Sequence, residues 1–215
     1  MRNTIERIEI THVFKRFRTK EVLKDISLDL RAGHIYGIVG HNGSGKTVLF
    51  KCICGFFYCT SGEILVDGKR IGKDMDILTD AGIIIEEPGF LKYWNGFQNL
   101  KFLYTIRNRN CKGHLFSILR KVGLDPNNKM PVGKYSLGMC QRLAIAQAIM
   151  EDPSVLLLDE PMNGLDKNGI NEMRELFSQM RDEGKMILLA SHNREDINIL
   201  CDEVYEMVNG TLIKE

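Results

Sequence analysis

The residues best equipped for chemistry in this sequence are Gly40-His41-Asn42-Gly43-Ser44-Gly45-Lys46-Thr47. They satisfy G-x-x-x-x-G-K-[ST] at every fixed position, directly after the apolar run Ile35-Tyr36-Gly37-Ile38-Val39 and before Val48-Leu49-Phe50. A buried strand, a glycine loop and then a helix is the context that motif requires. The glycines let the backbone curl so that successive N–H groups face phosphate oxygens. The helix behind them adds about half an elementary positive charge at its N-terminus. Gly40, Asn42, Gly43, Ser44, Gly45 and Val48 are thus expected to cradle the phosphates. Lys46 reaches the β- and γ-phosphates, and Thr47 offers its hydroxyl to Mg²⁺. The expected ligand is a nucleoside triphosphate.

A second group follows the apolar run Val155–Leu158, which ends in Asp159-Glu160. Asp159, at the end of a buried strand, is placed to share the metal ion with Thr47. Along a strand Glu160 would face away from Asp159, but where the strand ends the chain turns and Glu160 can lean into the site. A carboxylate there can orient or deprotonate a water attacking the γ-phosphate; a solvated acid at a strand end is the structural alternative. Other phosphate-loop classes fit less well. Asn128-Lys129-Met130-Pro131 lacks the aspartate of a guanine-reading Asn-Lys-x-Asp, and Gly43-x-Gly45 is followed by Val48 rather than by the last glycine of a dinucleotide fingerprint.

The elements that must hold these groups alternate between strand and helix. Residues 5–13 and 22–30 read as short strands around the polar turn 16–20, with Ile5, Ile8, Ile10, Val13, Leu23, Ile26, Leu28 and Leu30 among the apolar positions. A helix runs from Gly45 to about Gly55, and Ile64–Val66 closes on the hairpin signal Asp67-Gly68. Ile83–Ile85 is a buried strand that stops at Glu86-Glu87-Pro88-Gly89. A helical pattern extends from Asn95 to Val122, residues 125–133 form a loop, and Ser136 caps a helix through Met150. A helix at 167–182, a strand Met186–Ala190, a short helix 193–200 and a final hairpin complete the chain. The fold class is α/β: a P-loop NTPase core with a mainly parallel central sheet, an N-terminal antiparallel β part and an inserted α-helical subdomain. The expected organisation is a single domain, 1–215, with a nucleotide-binding core at 1–91 and 151–215 and a helical subdomain at 92–150.

Composition sets the outer bounds. Of the 215 residues 44% are hydrophobic and 27% charged, an ordinary balance for a globular protein with a substantial core. A net charge of +1 gives no reason to expect nucleic acid as the partner. The six cysteines form no Cys-x-x-Cys pair and read as reduced thiols of an intracellular protein, with Cys52 and Cys54 on different faces of their helix. The N-terminal Arg2, Glu6, Arg7 and Glu9 match neither a signal peptide nor a lipidation motif. No apolar run approaches the ~20 residues that span a bilayer. At a membrane, another protein would have to hold the chain there.

The order and spacing of these motifs resemble the ATP-binding subunit of an ABC transporter over essentially the whole chain. Tyr135-Ser136-Leu137-Gly138-Met139, followed by Cys140-Gln141-Arg142, stands where that family has its Leu-Ser-Gly-Gly-Gln signature. Asn163-Gly164-Leu165-Asp166 stands at the D-loop, and Ser191-His192 resembles the switch histidine. The resemblance implies ATP as the nucleotide, and Phe17, with Phe14 as second candidate, stacking on adenine. It also implies that Ser136 and Gly138 cover the γ-phosphate bound by an opposite subunit. The helix N-terminus at Ser136 is an anion site in its own right, and it lies 90 positions from Lys46, so a contribution in trans is reasonable. His192 would donate to the γ-phosphate or hold the attacking water; a helix-capping histidine is the structural alternative.

Glu86 stands where most members have a glutamine, which adds it to Thr47 and Asp159 as a candidate at the metal. Leu137 and Met139 replace glycine and glutamine of the signature. Both features resemble the subgroup that exports, or confers immunity to, bacitracin-like and lantibiotic peptides. The implied function is an ATP hydrolase, homodimeric or heterodimeric, on the inner face of the cell membrane and driving transmembrane permease subunits through the loop near 86–98. Phe90, Leu91, Tyr93, Trp94 and Phe97 are the candidate contacts, with packing in the core of the helical subdomain as the equal alternative. A soluble relative acting on ribosomes or DNA would need a second cassette or a long coiled-coil insertion. A regulatory module without turnover would not need Glu160 and His192.

Overall fold

The computed structural model describes residues 4–86 and 88–215, so Arg2 and Glu87 of the sequence reading lie outside the described residues. Among the described residues there are two sheets and six α-helices. The larger sheet is built on β3 (Ile35–Val39), β6 (Ala81–Ile84), β7 (Val155–Asp159), β8 (Met186–Ser191), β9 (Glu203–Val208) and β10 (Thr211–Lys214), in the order β10-β9-β3-β8-β7-β6. All its neighbours pair in parallel except β10, which turns back on β9. Its central strands are apolar up to the site residues Asp159 and Ser191 at the ends of β7 and β8, because both faces are covered. Ile35, Val39, Leu156, Leu158, Ile187 and Leu189 enter one core; Tyr36, Ile38, Val155, Leu157, Met186, Leu188 and Ala190 enter the other.

The second core is closed by α1 (Lys46–Ile53) and by the antiparallel sheet of β1 (Arg7–Phe17), β2 (Lys20–Arg31), β4 (Ser61–Val66) and β5 (Lys69–Arg70), ordered β2-β1-β4-β5. The first is closed by α2 (Gly96–Tyr104), α3 (Lys112–Lys121), α4 (Leu137–Ile149), α5 (Lys167–Asp182) and α6 (Arg194–Leu200). α4 lies hard against β6: a Cβ on Gly82 would stand 2.1 Å from the Ala148 carbonyl oxygen. Only glycine allows that approach.

Several boundaries differ from the sequence reading. β1 and β2 are long, and the turn between them is two residues, Arg18-Thr19, rather than five. The cause is a bulge in each strand. Ile10 to Val13 and Leu23 to Ile26 are three apart instead of two, and the extra residues His12 (φ 47°) and Asp25 (φ 54°) are left-handed. Their side chains meet, His12 Nδ1 to Asp25 Oδ1 at 2.6 Å. The helical stretch 95–122 is two helices. Thr105 turns its hydroxyl back to the Lys101 and Phe102 carbonyls, which ends α2, and Asn108 reaches Glu151 instead of continuing the turn. β6 stops at Ile84, leaving Ile85 outside the strand. Cys52 and Cys54, expected on different faces, are both fully buried, because Cys54 already lies beyond the helix end. Burial pushes the Cys54 thiol up to about 12. Among the described residues, no helix is long and apolar enough to cross a membrane.

Candidate functional site

The sheet brings the chemical residues together at the C-terminal ends of β3, β7 and β8. Gly45, at φ 121°, makes the turn from the loop into α1, a conformation that a side chain would strain. Asn42 and Gly43 stand exposed at the loop's tip, while Ser44 and Lys46 are buried. Lys46 Nζ donates to the Gly40 carbonyl at 2.6 Å and the His41 carbonyl at 3.3 Å. Val48 packs into the core below and fixes the helix that follows. The Ser44 hydroxyl is buried without a hydrogen-bond partner. Such a group is costly unless something satisfies it, and a phosphate oxygen in the loop is the acceptor it fits.

Thr47 Oγ1 donates to Asp159 Oδ2 at 2.5 Å, joining α1 to the end of β7. A hydroxyl and a carboxylate side by side are hard oxygen donors of the kind Mg²⁺ takes alongside substrate phosphates. Burial, chiefly, holds the Asp159 carboxyl above the usual carboxylate range; the Thr47 hydroxyl opposes this, Glu160 adds to it, Lys46 opposes and Glu86 adds. Glu86 is left-handed (φ 64°) and its carboxylate accepts from Lys51 Nζ at 2.6 Å, one helical turn beyond Thr47. Among the described residues, no three His, Cys, Asp or Glu side chains converge as a metal cage.

Glu160 takes φ 51°, so the chain does turn at the end of β7. Its N–H donates to the Ala190 carbonyl at 2.8 Å. Its carboxylate accepts from the His192 N–H at 2.9 Å and from Ser191 Oγ at 3.2 Å, and lies 2.9 Å from His192 Nδ1. His192 itself is exposed and caps no helix; Asn193 caps α6, accepting from the Glu195 N–H at 3.0 Å.

Ser136 caps α4, its Oγ accepting from the Met139 N–H at 3.2 Å. It is exposed, as is Leu137, at 64% of its surface. A side chain at Gly138 would meet the Gly164 carbonyl oxygen at 3.0 Å, so the signature stretch abuts residues 163–166 of its own chain. Phe17, at the end of β1, is half exposed and stands edge-on to Phe57 at 5.2 Å, with Lys15 Nζ 4.9 Å from its ring centre. Of the candidate partner contacts, Leu91, Tyr93 and Trp94 are exposed, whereas Phe90 and Phe97 pack against the core.

Three residues at this site had no role in the sequence reading. Lys51 stands four positions after Thr47 on the same helix, but nothing in that spacing showed its pairing with Glu86. Ser191 was read only as the neighbour of His192. Gln141 lies within the signature stretch, but nothing in its spacing showed that its amide bonds the Glu160 carbonyl at 3.3 Å and the Pro161 carbonyl at 2.9 Å.

Comparison with known proteins gives consistent matches. The protein family described as "ABC transporter" matches residues 23–163. The chain is 40% identical over 205 residues to the uncharacterized ABC transporter ATP-binding protein YybJ of Bacillus subtilis, covering 95% of this chain and 94% of that one. It is 34% identical over 208 residues to the lantibiotic transport ATP-binding protein SrtF of Streptococcus pyogenes, covering 97% and 90%. Among solved structures, the dimeric bacterial ABC transporter cassette MJ0796 superimposes with a TM-score of 0.85 at 20% identity, over 95% of this chain and 96% of that one. At that identity the likeness establishes the fold.

Proposed function

This chain belongs to the ABC transporter family as an ATP-binding subunit that hydrolyses ATP to drive a separate membrane permease, and we propose that two such subunits close on ATP to power export of, or immunity to, a peptide antibiotic. The likeness to the lantibiotic transport protein supports the substrate class, as do Glu86, Leu137 and Met139, which stand in place of the family's usual glutamine, glycine and glutamine. The division into a core at 1–91 and 151–215 and a helical part at 92–150 is proposed on the same footing: α2, α3 and α4 all fall between β6 and β7.

In this reading the loop 40–48 binds the phosphates, Lys46 turns from its own loop carbonyls to the β- and γ-phosphates, and Phe17 stacks on the adenine. Thr47 and Asp159 would hold Mg²⁺, with Glu86 as a further candidate; bound there, the ion would offset phosphate charge. Glu160 orients a water and takes its proton as the water oxygen attacks the γ-phosphorus and ADP departs. His192 steadies the water or the γ-phosphate. Ser136 and Gly138 complete the site of the opposite subunit, homologous or identical. The subunit sits on the inner face of the membrane through its permease. Exposed Leu91, Tyr93 and Trp94 supply the surface for that contact.

The observation that carries the catalytic reading is the Glu160 carboxylate, fixed by Ser191 and His192 where β7 and β8 end. Glu160→Gln is expected to bind Mg-ATP within about threefold of the parent and to turn over at least ~10²-fold more slowly, the scale of a lost general base. Unchanged steady-state hydrolysis in that variant would remove Glu160 from the mechanism.

A further inference from the structure

Glu160 is held in a conformation that its sequence disfavours twice. A non-glycine residue at φ 51° is uncommon, and a residue before proline is pushed towards extended backbone by the ring that follows. Pro161 is that residue, and it is buried. Strain of this kind persists only where surrounding groups over-determine it. On the β8 side those groups are the Ala190 carbonyl, the Ser191 hydroxyl and the His192 N–H. Among the described residues, the side chain bonded to the backbone carbonyls of this turn is Gln141. Its Nε2 reaches the Glu160 carbonyl at 3.3 Å and the Pro161 carbonyl at 2.9 Å. An amide nitrogen carries two hydrogens, so two successive peptide units are gripped by one group. The Glu160 carbonyl also accepts from the Asn163 N–H at 3.2 Å.

Gln141 sits on α4 little more than one turn past Ser136, the cap at that helix's N-terminus. We propose that Gln141 is a positioning residue that sets the Glu160 carboxylate from α4, so that the same helix which presents Ser136 outward also aligns the general base of its own subunit. The inference rests on the catalytic reading of Glu160. It makes a movement of α4 a movement of the base, with no second path needed. A glutamine whose only task was packing would be replaceable by an apolar side chain of equal length.

The test uses the purified full chain in steady-state ATP hydrolysis, with nucleotide affinity measured by titration. Gln141→Met keeps length and volume but has no donor. It is expected to lower kcat at least about tenfold, with KM and ATP affinity within about threefold of the parent. In a Glu160→Gln background the same substitution is expected to change the residual rate by less than about twofold, because the group it positions is already gone. Gln141→Lys restores N–H donors at similar reach and is expected to recover at least half of the lost kcat. If Glu160→Gln is inactive while Gln141→Met turns over within about twofold of the parent, the positioning role is overturned and the role of Glu160 stands. Equal losses in the Met and Lys variants would also overturn it, since donors would then be irrelevant. If Glu160→Gln hydrolyses like the parent, the catalytic reading itself fails.

Discussion

Asp159 shows most plainly how side chains at this site act on each other. Its carboxyl is held above the ordinary range, first by burial, then by the nearby charges of Glu160 and Glu86 against the pull of Thr47 and Lys46. A raised acid binds its proton more tightly folded than unfolded. The stability it contributes is therefore complete below the unfolded pKa, about 3.9, and is lost as pH rises through the folded value. Asp159→Asn should melt above the parent at neutral pH without nucleotide, and the difference should close in acid. Thermal melts across that pH range check it, and a variant less stable than the parent at neutral pH would contradict the sign. Glu86 poses a related question of charge. Its side chain is largely exposed, so its pair with Lys51 adds at most ~1 kcal/mol to stability; what Lys51 does is offset a carboxylate close to Asp159. Glu86→Ala should bind ATP within about tenfold of the parent, under ~1.4 kcal/mol, yet hydrolyse it more slowly. Lys51→Met should also slow hydrolysis, and adding Glu86→Gln to it should restore much of the rate. Side-by-side affinity and ATPase measurements decide both.

Among the elements, the segment between β6 and α2 depends on Asn99. This buried side chain accepts from the Leu91 N–H at 2.8 Å and donates to the Leu91, Trp94 and Asn95 carbonyls at 3.2, 3.4 and 3.0 Å. Asn99→Ala leaves the Leu91 N–H without its acceptor and takes one of two partners from the Leu91, Trp94 and Asn95 carbonyls, which costs roughly 2 kcal/mol and about 4–8 °C in a chain of this size. The expected signature is faster amide exchange over residues 88–95 with ATP affinity unchanged; uniform protection would show that the loop holds itself. Asn99 also marks where sequence reading stops. Ser136, Asp159 and the helix 167–182 were legible because capping, apolar runs and helical period are local signals. The β1 and β2 bulges were present in the three-residue spacings from Ile10 to Val13 and from Leu23 to Ile26, which break strict alternation. Asn99, Gln141 and Lys51 were not legible. Their partners lie in loops or on other elements, and an amide or a cation reads the same whether it faces water or a carbonyl.

On the scale of the whole molecule, the two halves of the chemistry differ in exposure. Lys46 is buried within its own loop, whereas Ser136 and Leu137 at the head of α4 are exposed. On the proposed reading, that exposed helix end takes an anion brought to it, and a second subunit carrying bound ATP is the partner that fits. Assembly on ATP is therefore the property to measure. In Glu160→Gln, which should bind ATP without consuming it, multi-angle light scattering is expected to show the molar mass rising from that of one 24.5 kDa chain towards twice that value with Mg-ATP, and staying at one chain with Mg-ADP. A protein saturated with ATP that remains monomeric at high concentration would contradict it.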